Sequence, residues 1–224
     1  MFKKTRQQNL RKSFKINGIK SKSPMSTLKV SCDDAGIEKA NKIIRDGGVM
    51  VFPTDTVYGI GCDPFNKKAV EKIYRIKSRE SVKSVPVLTN SATAAKKICH
   101  IDKFTEKIIE KFWPGPLTII LKLTDESLKE SLNLKERIAI RVPNHECTLK
   151  ILEKCNFLVG TSANVSGRAP YTDPDECFRN LHGYDIFLDG GTITSEAVST
   201  IIEIENEEIK IVREGCLTKE EIMI

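Results

Sequence analysis

The chain has 224 residues, of which 40% are hydrophobic and 29% are charged, enough for one globular domain that buries roughly 70% of the surface of its unfolded chain. It contains no run of about 18 apolar residues and no apolar segment after its basic N-terminus, so we expect no membrane span and no secretory leader, and a cytoplasmic location. Seven scattered cysteines without C-x-x-C spacing predict reduced thiols, and three histidines without zinc-ligand spacing predict no metal site built by the protein.

The positive charge is concentrated at the N-terminus. The net charge is +6, but residues 1–24 hold eight lysines or arginines and no acidic residue, so the remaining residues carry a net charge of −2. The domain itself therefore lacks the charge typical of bulk nucleic-acid binding. We predict a basic, disordered tail over 1–26, one folded domain over 27–217 and a C-terminal end over 218–224. An RNA-tethering arm and a targeting peptide are alternatives for the tail, and Met25 is an alternative start.

Apolar periodicity and capping residues predict helices and strands that alternate along the domain. The pair Asp33-Asp34 can cap a first helix that ends at Gly47-Gly48, and the apolar run 49–52 then predicts a buried strand. A second helix begins near Asn66 and delivers Lys77 at its C-terminal end. Further helices are predicted over 91–98, 104–112 and 174–181, and further strands over 86–88, 117–123, 138–142, 157–160 and 186–188, with a terminal hairpin of 200–205 and 208–213.

This interleaving of strands and helices indicates the α/β class. The terminal hairpin and the irregular spacing of the strands indicate pairing that is both parallel and antiparallel. We therefore predict a single domain with one twisted mixed sheet and flanking helices. In open α/β sheets, ligands bind at the carboxyl ends of the strands, so the loops after the strands are the places to search for a site.

The loop after the first predicted strand reads PTDTVYGIG over 53–61. Its two glycines allow the backbone to approach a ligand closely. Two familiar phosphate-binding loops are nevertheless excluded. The third glycine of G-x-G-x-x-G would fall at Pro64, and G-x-x-x-x-G-K-[ST] does not occur in the chain. Any nucleotide must therefore be held in another way.

Three pairs of polar residues share a spacing of two. In extended chain, residues i and i+2 project to the same side, so we predict that each pair aims both side chains into one cavity. A Lys and Arg pair predicts an anionic ligand, although solvated cations at a helix end are the simpler alternative. A Ser and Asn pair can instead bond its own backbone. The pairs are Thr54 with Thr56, Lys77 with Arg79, and Ser162 with Asn164.

Seven short segments occur in one order over about residues 30–217: PTDTVYGIG (53–61), IKSR (76–79), WPGPLT (113–118), IRVP (140–143), TSANVSG (161–167), STII (199–202) and REG (213–215). In this order they resemble the YrdC-like family, the threonylcarbamoyl-AMP synthases. The chain departs from the family pattern after Arg79, where members often show Arg-Pro and then Lys-Pro-Leu. Here the residues are Arg79-Glu80 and Lys83-Ser84-Val85, so two prolines that would fix φ are missing.

The resemblance implies a large concave cavity and a reaction that joins L-threonine, bicarbonate and ATP into threonylcarbamoyl-AMP with release of pyrophosphate. This is the first step of threonylcarbamoyladenosine modification of tRNA next to the anticodon, and a downstream tRNA threonylcarbamoyl transferase complex would complete it. Mg²⁺ would bind with the ATP phosphates. A carbamoyl-transfer domain of the hydrogenase-maturation type is one alternative. The other is a non-catalytic RNA-binding module. A weak contact with tRNA or double-stranded RNA is a further partner interaction that we consider.

The resemblance also implies roles for ten residues. The catalytic pair would be Lys77 and Arg79. Threonine and its carbamate would be bound by Thr54, Thr56, Lys77 and Ser199. The nucleotide would be bound by Arg79, Thr118, Arg141, Ser162, Asn164 and Arg213.

Overall fold

The computed structural model describes residues 27–80, 84–195 and 197–223. The predicted tail over 1–26 lies outside the described residues, and so do positions 81–83 of the segment that departs from the family pattern. The strands are β1 (Leu28–Ser31), β2 (Met50–Phe52), β3 (Gly59–Gly61), β4 (Val87–Thr89), β5 (Leu117–Lys122), β6 (Arg137–Arg141), β7 (Phe157–Val159), β8 (Thr161–Ser162), β9 (Ile186–Asp189), β10 (Thr200–Glu205) and β11 (Glu208–Arg213). The helices are α1 (Asp34–Arg45), α2 (Lys67–Ile76), α3 (Ala92–Ala95), α4 (Lys103–Phe112), α5 (Ser127–Leu132), α6 (Glu146–Cys155), α7 (Pro174–Asn180) and α8 (Lys219–Ile222).

The strands form two mixed sheets. One has the order β1-β9-β2-β3-β8 and the other the order β11-β10-β5-β6-β4-β7. Each sheet combines parallel pairs, such as β2 with β9, and antiparallel pairs, such as β5 with β6. The predicted α/β class, mixed pairing and flanking helices are therefore confirmed. The prediction of one sheet is wrong, because apolar periodicity shows which residues are buried but not which strands pair.

The two sheets meet where the chain crosses from one to the other. Strand β7 belongs to the six-stranded sheet, and after Gly160 the chain continues as β8 of the five-stranded sheet. At this crossing the amide of Val159 donates to the carbonyl oxygen of Cys62 at 2.8 Å. Both buried apolar clusters of the structure contain residues from both sheets. The sheets therefore share their core, and loops from both reach the same region.

Local capping places the first two helices as predicted. The Asp33 side chain accepts a hydrogen bond from the amide of Gly36 at the start of α1. The Asn66 side chain accepts from the amide of Ala69 at the start of α2, and Lys77 is the C-cap of that helix. These bonds satisfy amides that have no partner within the helix. The sequence thus fixes where α2 begins and ends, and with it the position of Lys77.

Strand β3 is an element that the sequence does not predict. Its residues Gly59, Ile60 and Gly61 contain two glycines, which are unfavourable in strands. A Cβ atom at Gly61 would lie only 1.9 Å from the carbonyl oxygen of Val159, so glycine is needed for the close approach of the two chain segments. Elements β1, β8, α5, α6 and α8 also lie in segments for which no element is predicted.

The C-terminal helix α8 packs against the rest of the fold. Its residue Ile222 is fully buried and belongs to the larger core cluster. In the described part of the chain, no helix has both the length and the apolar character needed to cross a bilayer.

Cys32 and Cys147 form a disulfide that connects the end of β1 to helix α6. Their Cα atoms lie 5.6 Å apart, within the usual range for a disulfide. The prediction of reduced thiols is therefore wrong at these two positions. The other five cysteines are free. Spacing could not reveal the pair, because 115 residues separate the two cysteines and the packing of the fold brings them together.

We predict that Cys147→Ser lowers the free energy of unfolding by roughly 2–4 kcal/mol, because the disulfide restricts the unfolded chain over a long loop. Chemical denaturation without reductant measures this change, and Cys155→Ser, which removes a free cysteine of the same helix, is the control. Thiol titration of the unfolded wild-type protein should give five thiols before reduction and seven afterwards. Seven thiols before reduction would contradict the assignment.

Candidate functional site

A cavity of about 240 Å³ lies where loops and strand ends from both sheets converge. Its apolar wall is formed by side chains such as Phe52, Leu88 and Ile120. Its polar lining contains eight of the ten residues to which the resemblance gives a role: Thr54, Thr56, Arg79, Thr118, Arg141, Ser162, Ser199 and Arg213. The structure therefore brings together residues that lie up to 159 positions apart in the sequence.

The loop between β2 and β3 is organised by the Thr54 hydroxyl. Its Oγ1 atom accepts from the amides of Thr56 and Val57 at 3.2 Å each and donates to the carbonyl oxygen of Val57 at 2.7 Å. The Oγ1 atoms of Thr54 and Thr56 lie 3.1 Å apart, so this pair shares one side of the loop as predicted. Because its hydroxyl is hydrogen-bonded within the turn, Thr54 shapes the loop. The Thr56 hydroxyl also accepts a hydrogen bond from Arg141, another residue that lines the cavity.

Arg141 is buried at the end of β6 and is held by three oxygen atoms. Its Nε atom donates to the carbonyl oxygen of Gly115 at 2.9 Å, its Nη1 atom to Thr56 Oγ1 at 3.3 Å and its Nη2 atom to Asp55 Oδ1 at 2.6 Å. Gly115 lies in the WPGP segment, where its amide donates to the carbonyl oxygen of Val142. Two loops and a strand end therefore fix this guanidinium group.

Arg213, at the end of β11, is held against Ser199. Its Nε atom donates to the Ser199 carbonyl oxygen at 3.2 Å, and its Nη2 atom contacts Ser199 Oγ at 3.0 Å. The Ser199 hydroxyl in turn lies 3.1 Å from Thr118 Oγ1. These contacts join β5, β10 and β11 into one polar wall of the cavity.

Three guanidinium groups thus face one small space. Burial lowers the pKa of Arg213, and the neighbouring charges of Arg141 and Arg79 lower it further. Among the described residues that line the cavity there is no Asp or Glu. Such a concentration of positive charge with hydroxyl groups between is suited to an anion with several oxygen atoms, such as a polyphosphate or a carboxylate.

Lys77 and Asn164 do not line this cavity; they lie on an adjoining polar depression that shares Arg79 and Ser162 with it. Lys77 is 2% exposed, and its Nζ atom donates to the carbonyl oxygen of Asn164 at 2.9 Å, to Asn164 Oδ1 at 3.3 Å and to the carbonyl oxygen of Ser162. The side-chain nitrogen Nδ2 of Asn164 donates to the carbonyl oxygens of Val165 and Arg168. Both side chains therefore hold the loop after β8 in shape.

Two of the three pairs line the adjoining depression together: Lys77 with Arg79, and Ser162 with Asn164. In each of these pairs only one member, Arg79 or Ser162, also lines the cavity. Ser78 adopts the left-handed conformation, with φ of 48°, directly after the C-cap Lys77. The Lys77 ammonium group donates to the loop after β8, whereas Arg79 Nη2 donates to the carbonyl oxygen of Ser84 at 2.9 Å. The backbone N–H of Asn164 donates to the carbonyl oxygen of Ser162 at 2.9 Å, so this segment is a tight turn rather than extended chain. The premise of extended chain is therefore wrong for this pair, although both of its members line the same depression.

Asp55 and the carbonyl oxygen of Gly115 are parts of the site that the sequence analysis does not assign. Asp55 stands inside the PTDTVYGIG segment, between Thr54 and Thr56, and this position is the feature of the sequence that could have indicated a role in the site. A backbone carbonyl gives no signal in a sequence. The residues that the structure describes contain no group of three or more His, Cys, Asp or Glu side chains arranged to hold a metal ion.

Comparison with protein families gives a match that covers most of the chain. The Sua5/YciO/YrdC family model, whose description is telomere recombination, matches residues 42–215. Threonylcarbamoyl-AMP synthase of Hydrogenovibrio crunogenus is 31% identical over 183 residues, which cover 80% of this chain and 98% of that protein.

Two solved structures share the fold. Sua5 of P. abyssi, solved in complex with L-threonine, superposes with a TM-score of 0.78 at 28% sequence identity over 88% of this chain. The present chain covers 58% of that longer protein. YciO of E. coli superposes with a TM-score of 0.79 at 25% identity, and here the match covers 88% of this chain and 98% of the other.

We predict a pH-dependent contribution of Lys77 to stability. Burial, together with the charge of Arg79, lowers the pKa of Lys77 to about 8 from its ordinary value of 10.5. Between these values the unfolded chain binds a proton that the folded protein has released, so raising the pH favours the folded state. The free energy of unfolding of the wild type, measured relative to Lys77→Met, should rise from about pH 8 to about pH 10.5. A difference that does not change with pH would contradict this placement of Lys77.

Proposed function

This chain belongs to the Sua5/YciO/YrdC family, and on that basis we propose that it synthesises threonylcarbamoyl-AMP from L-threonine, bicarbonate and ATP, with release of pyrophosphate. The observation that carries the proposal is the convergence of Arg79, Arg141 and Arg213 on one cavity whose described lining has no carboxylate. A nucleoside triphosphate supplies the negative charge that this arrangement lacks. The apolar wall of the same cavity offers a surface for the parts of the substrates that carry no charge.

The reaction can be written in two steps. The ammonium group of threonine first loses a proton. The neutral amine then forms an N–C bond with the carbon of bicarbonate, and water leaves to give a carbamate. A carbamate oxygen then attacks the α-phosphorus of ATP, and the bond to the bridging oxygen breaks, so that pyrophosphate leaves. No covalent bond to the protein is needed. Negative charge grows on phosphate oxygens in the second step.

The protein therefore contributes mainly positioning and electrostatic stabilisation. Arg141 and Arg213 are suited to this, because each is already held by hydrogen bonds to the protein and need not reorganise when charge develops. Arg79 follows the left-handed residue Ser78 and lines the cavity as well. Thr56, Thr118 and Ser199 supply hydroxyl groups between the cations.

Lys77 enters the proposal in a different role from the one the resemblance implies. Its ammonium group is engaged by oxygen atoms of Ser162 and Asn164. It would therefore hold the Ser162 loop against the cavity, and Ser162 would contact the substrate. This gives the Lys-x-Arg segment two functions, in which the lysine shapes the site and the arginine faces the ligand.

We propose that Mg²⁺ enters as part of the ATP substrate. This ion takes oxygen ligands and is usually bound by carboxylates and substrate phosphates. The described lining of the cavity offers guanidinium and hydroxyl groups, so the phosphate oxygens would supply the ligands. The same proposal includes delivery of the product to a tRNA threonylcarbamoyl transferase complex, in the cytoplasm where tRNA is modified.

The reaction is tested with the purified full chain, Mg²⁺, ATP and ¹⁴C-bicarbonate, with and without L-threonine. We expect labelled threonylcarbamoyl-AMP and pyrophosphate in equal amounts, and only when threonine is present. Pyrophosphate release that does not depend on threonine, or ATP binding without a labelled adduct, would contradict the proposed reaction.

The role of the cationic cavity is tested with Arg213→Ala. Loss of a charge-assisted hydrogen bond costs roughly 1.5–3 kcal/mol, so we expect the KM for ATP to rise about 10- to 100-fold. Arg45→Ala, at the exposed end of α1, removes the same charge outside the cavity and should leave the KM unchanged. Equal KM values for the two variants would show that Arg213 does not hold the nucleotide.

A further inference from the structure

Asp55 forms an ion pair with Arg141 directly behind the cavity. The distance from Asp55 Oδ1 to Arg141 Nη2 is 2.6 Å, and the two side chains are 13% and 7% exposed. Asp55 does not line the cavity itself. Its carboxylate contacts the side of the guanidinium group that faces the loop between β2 and β3, so it touches the arginine rather than the space for a ligand.

The three hydrogen bonds of Arg141 leave a specific part of its guanidinium group for a ligand. The group has five N–H donors in a fixed plane. One is used on Nε, one on Nη1 and one on Nη2, by Gly115, Thr56 and Asp55 respectively. Two donors remain, one on each terminal nitrogen. These two donors can hydrogen-bond oxygen atoms of a phosphate or carboxylate group.

The position of Asp55 is itself determined by its surroundings. The preceding residue Thr54 closes the turn, and the hydroxyl of Thr148 in α6 donates to the carbonyl oxygen of Pro53. His145, the N-cap of α6, is a neighbouring titratable group. Burial lowers the pKa of His145, and the charges of Asp55 and Glu146 act in the opposite direction. The carboxylate therefore has a fixed place from which it can determine the plane of the Arg141 guanidinium group.

We propose that Asp55 is a positioning residue, which orients Arg141 so that its two remaining donors hold one anionic group of the substrate. The proposal rests on the proposed function for the identity of that substrate, ATP. Asp55 can affect ATP binding in two opposite ways, through its charge and through the orientation of Arg141. A carboxylate near the cavity repels an anion, so its neutralisation should tighten ATP binding if charge alone matters. If orientation of Arg141 matters more, neutralisation should weaken binding.

The test is calorimetric titration of the full chain with Mg-ATP, which needs no turnover. We expect Asp55→Asn to weaken binding about 10-fold, although it makes the cavity more positive. Asp185→Asn is the matched control, because Asp185 forms an ion pair with Lys72 at the opposite end of β2 and β9 and is not part of the cavity. It should bind ATP as the wild type does. Unchanged or tighter binding by Asp55→Asn would overturn the proposal.

A double-mutant comparison shows whether Asp55 acts through Arg141. In the Arg141→Ala background, Asp55→Asn should cause no further loss of ATP affinity, because the group that it positions is gone. An equal further loss would mean that Asp55 acts independently, and this would also overturn the proposal. If Asp55→Asn does not fold, as judged by circular dichroism, Asp55→Glu keeps the charge but displaces the carboxylate and should still weaken binding.

Failure of this inference is distinguishable from failure of the proposed function. A wild-type protein that binds ATP but forms no threonylcarbamoyl-AMP would refute the proposed reaction and leave the Asp55 result intact. A wild-type protein that forms the product, with an Asp55→Asn variant that binds ATP equally well, would refute only the positioning role. If the wild type is active, Asp55→Asn should change the KM for ATP more than it changes kcat.

Discussion

The mutual repulsion of Arg79, Arg141 and Arg213 is the constraint on which the architecture of the site depends. The structure offsets this repulsion by bonding the guanidinium groups to oxygen atoms of different loops: Gly115 and Asp55 for Arg141, Ser199 for Arg213, and Ser84 for Arg79. Because these loops come from both sheets, the cavity exists only when the two sheets share one core. The two-sheet fold thus holds three like charges close together in the absence of a ligand, so that the site is preorganised for an anion.

Much of this arrangement follows from the sequence alone. The caps Asp33 and Asn66 fix the ends of two helices, and the apolar run before Pro53 fixes the strand from which the Thr54 loop departs. Eight of the ten site residues that the resemblance implies line one cavity, because they stand at or near the ends of strands and helices that converge there. The resemblance to a family selected these residues, whereas residue type and position alone indicated only the three spaced pairs and the loops at strand ends.

The remainder depends on tertiary contacts that a sequence does not display. Ser78 adopts the left-handed conformation after α2, and nothing in the residue type of serine requires that conformation. The Cys32–Cys147 disulfide and the division into two sheets depend on which elements pack together. Gly61 shows the same limit, since it was predicted to serve a ligand but makes room for the carbonyl oxygen of Val159.

The central claim, that the three arginines form the phosphate site of a nucleotide substrate, is tested most directly by a crystal structure with L-threonine and a non-hydrolysable ATP analogue. The account predicts phosphate oxygens within hydrogen-bond distance of Arg79, Arg141 and Arg213, with Lys77 still bonded to the loop of Ser162 and Asn164. Phosphates bound outside this cavity, with the three guanidinium groups facing only water, would contradict it.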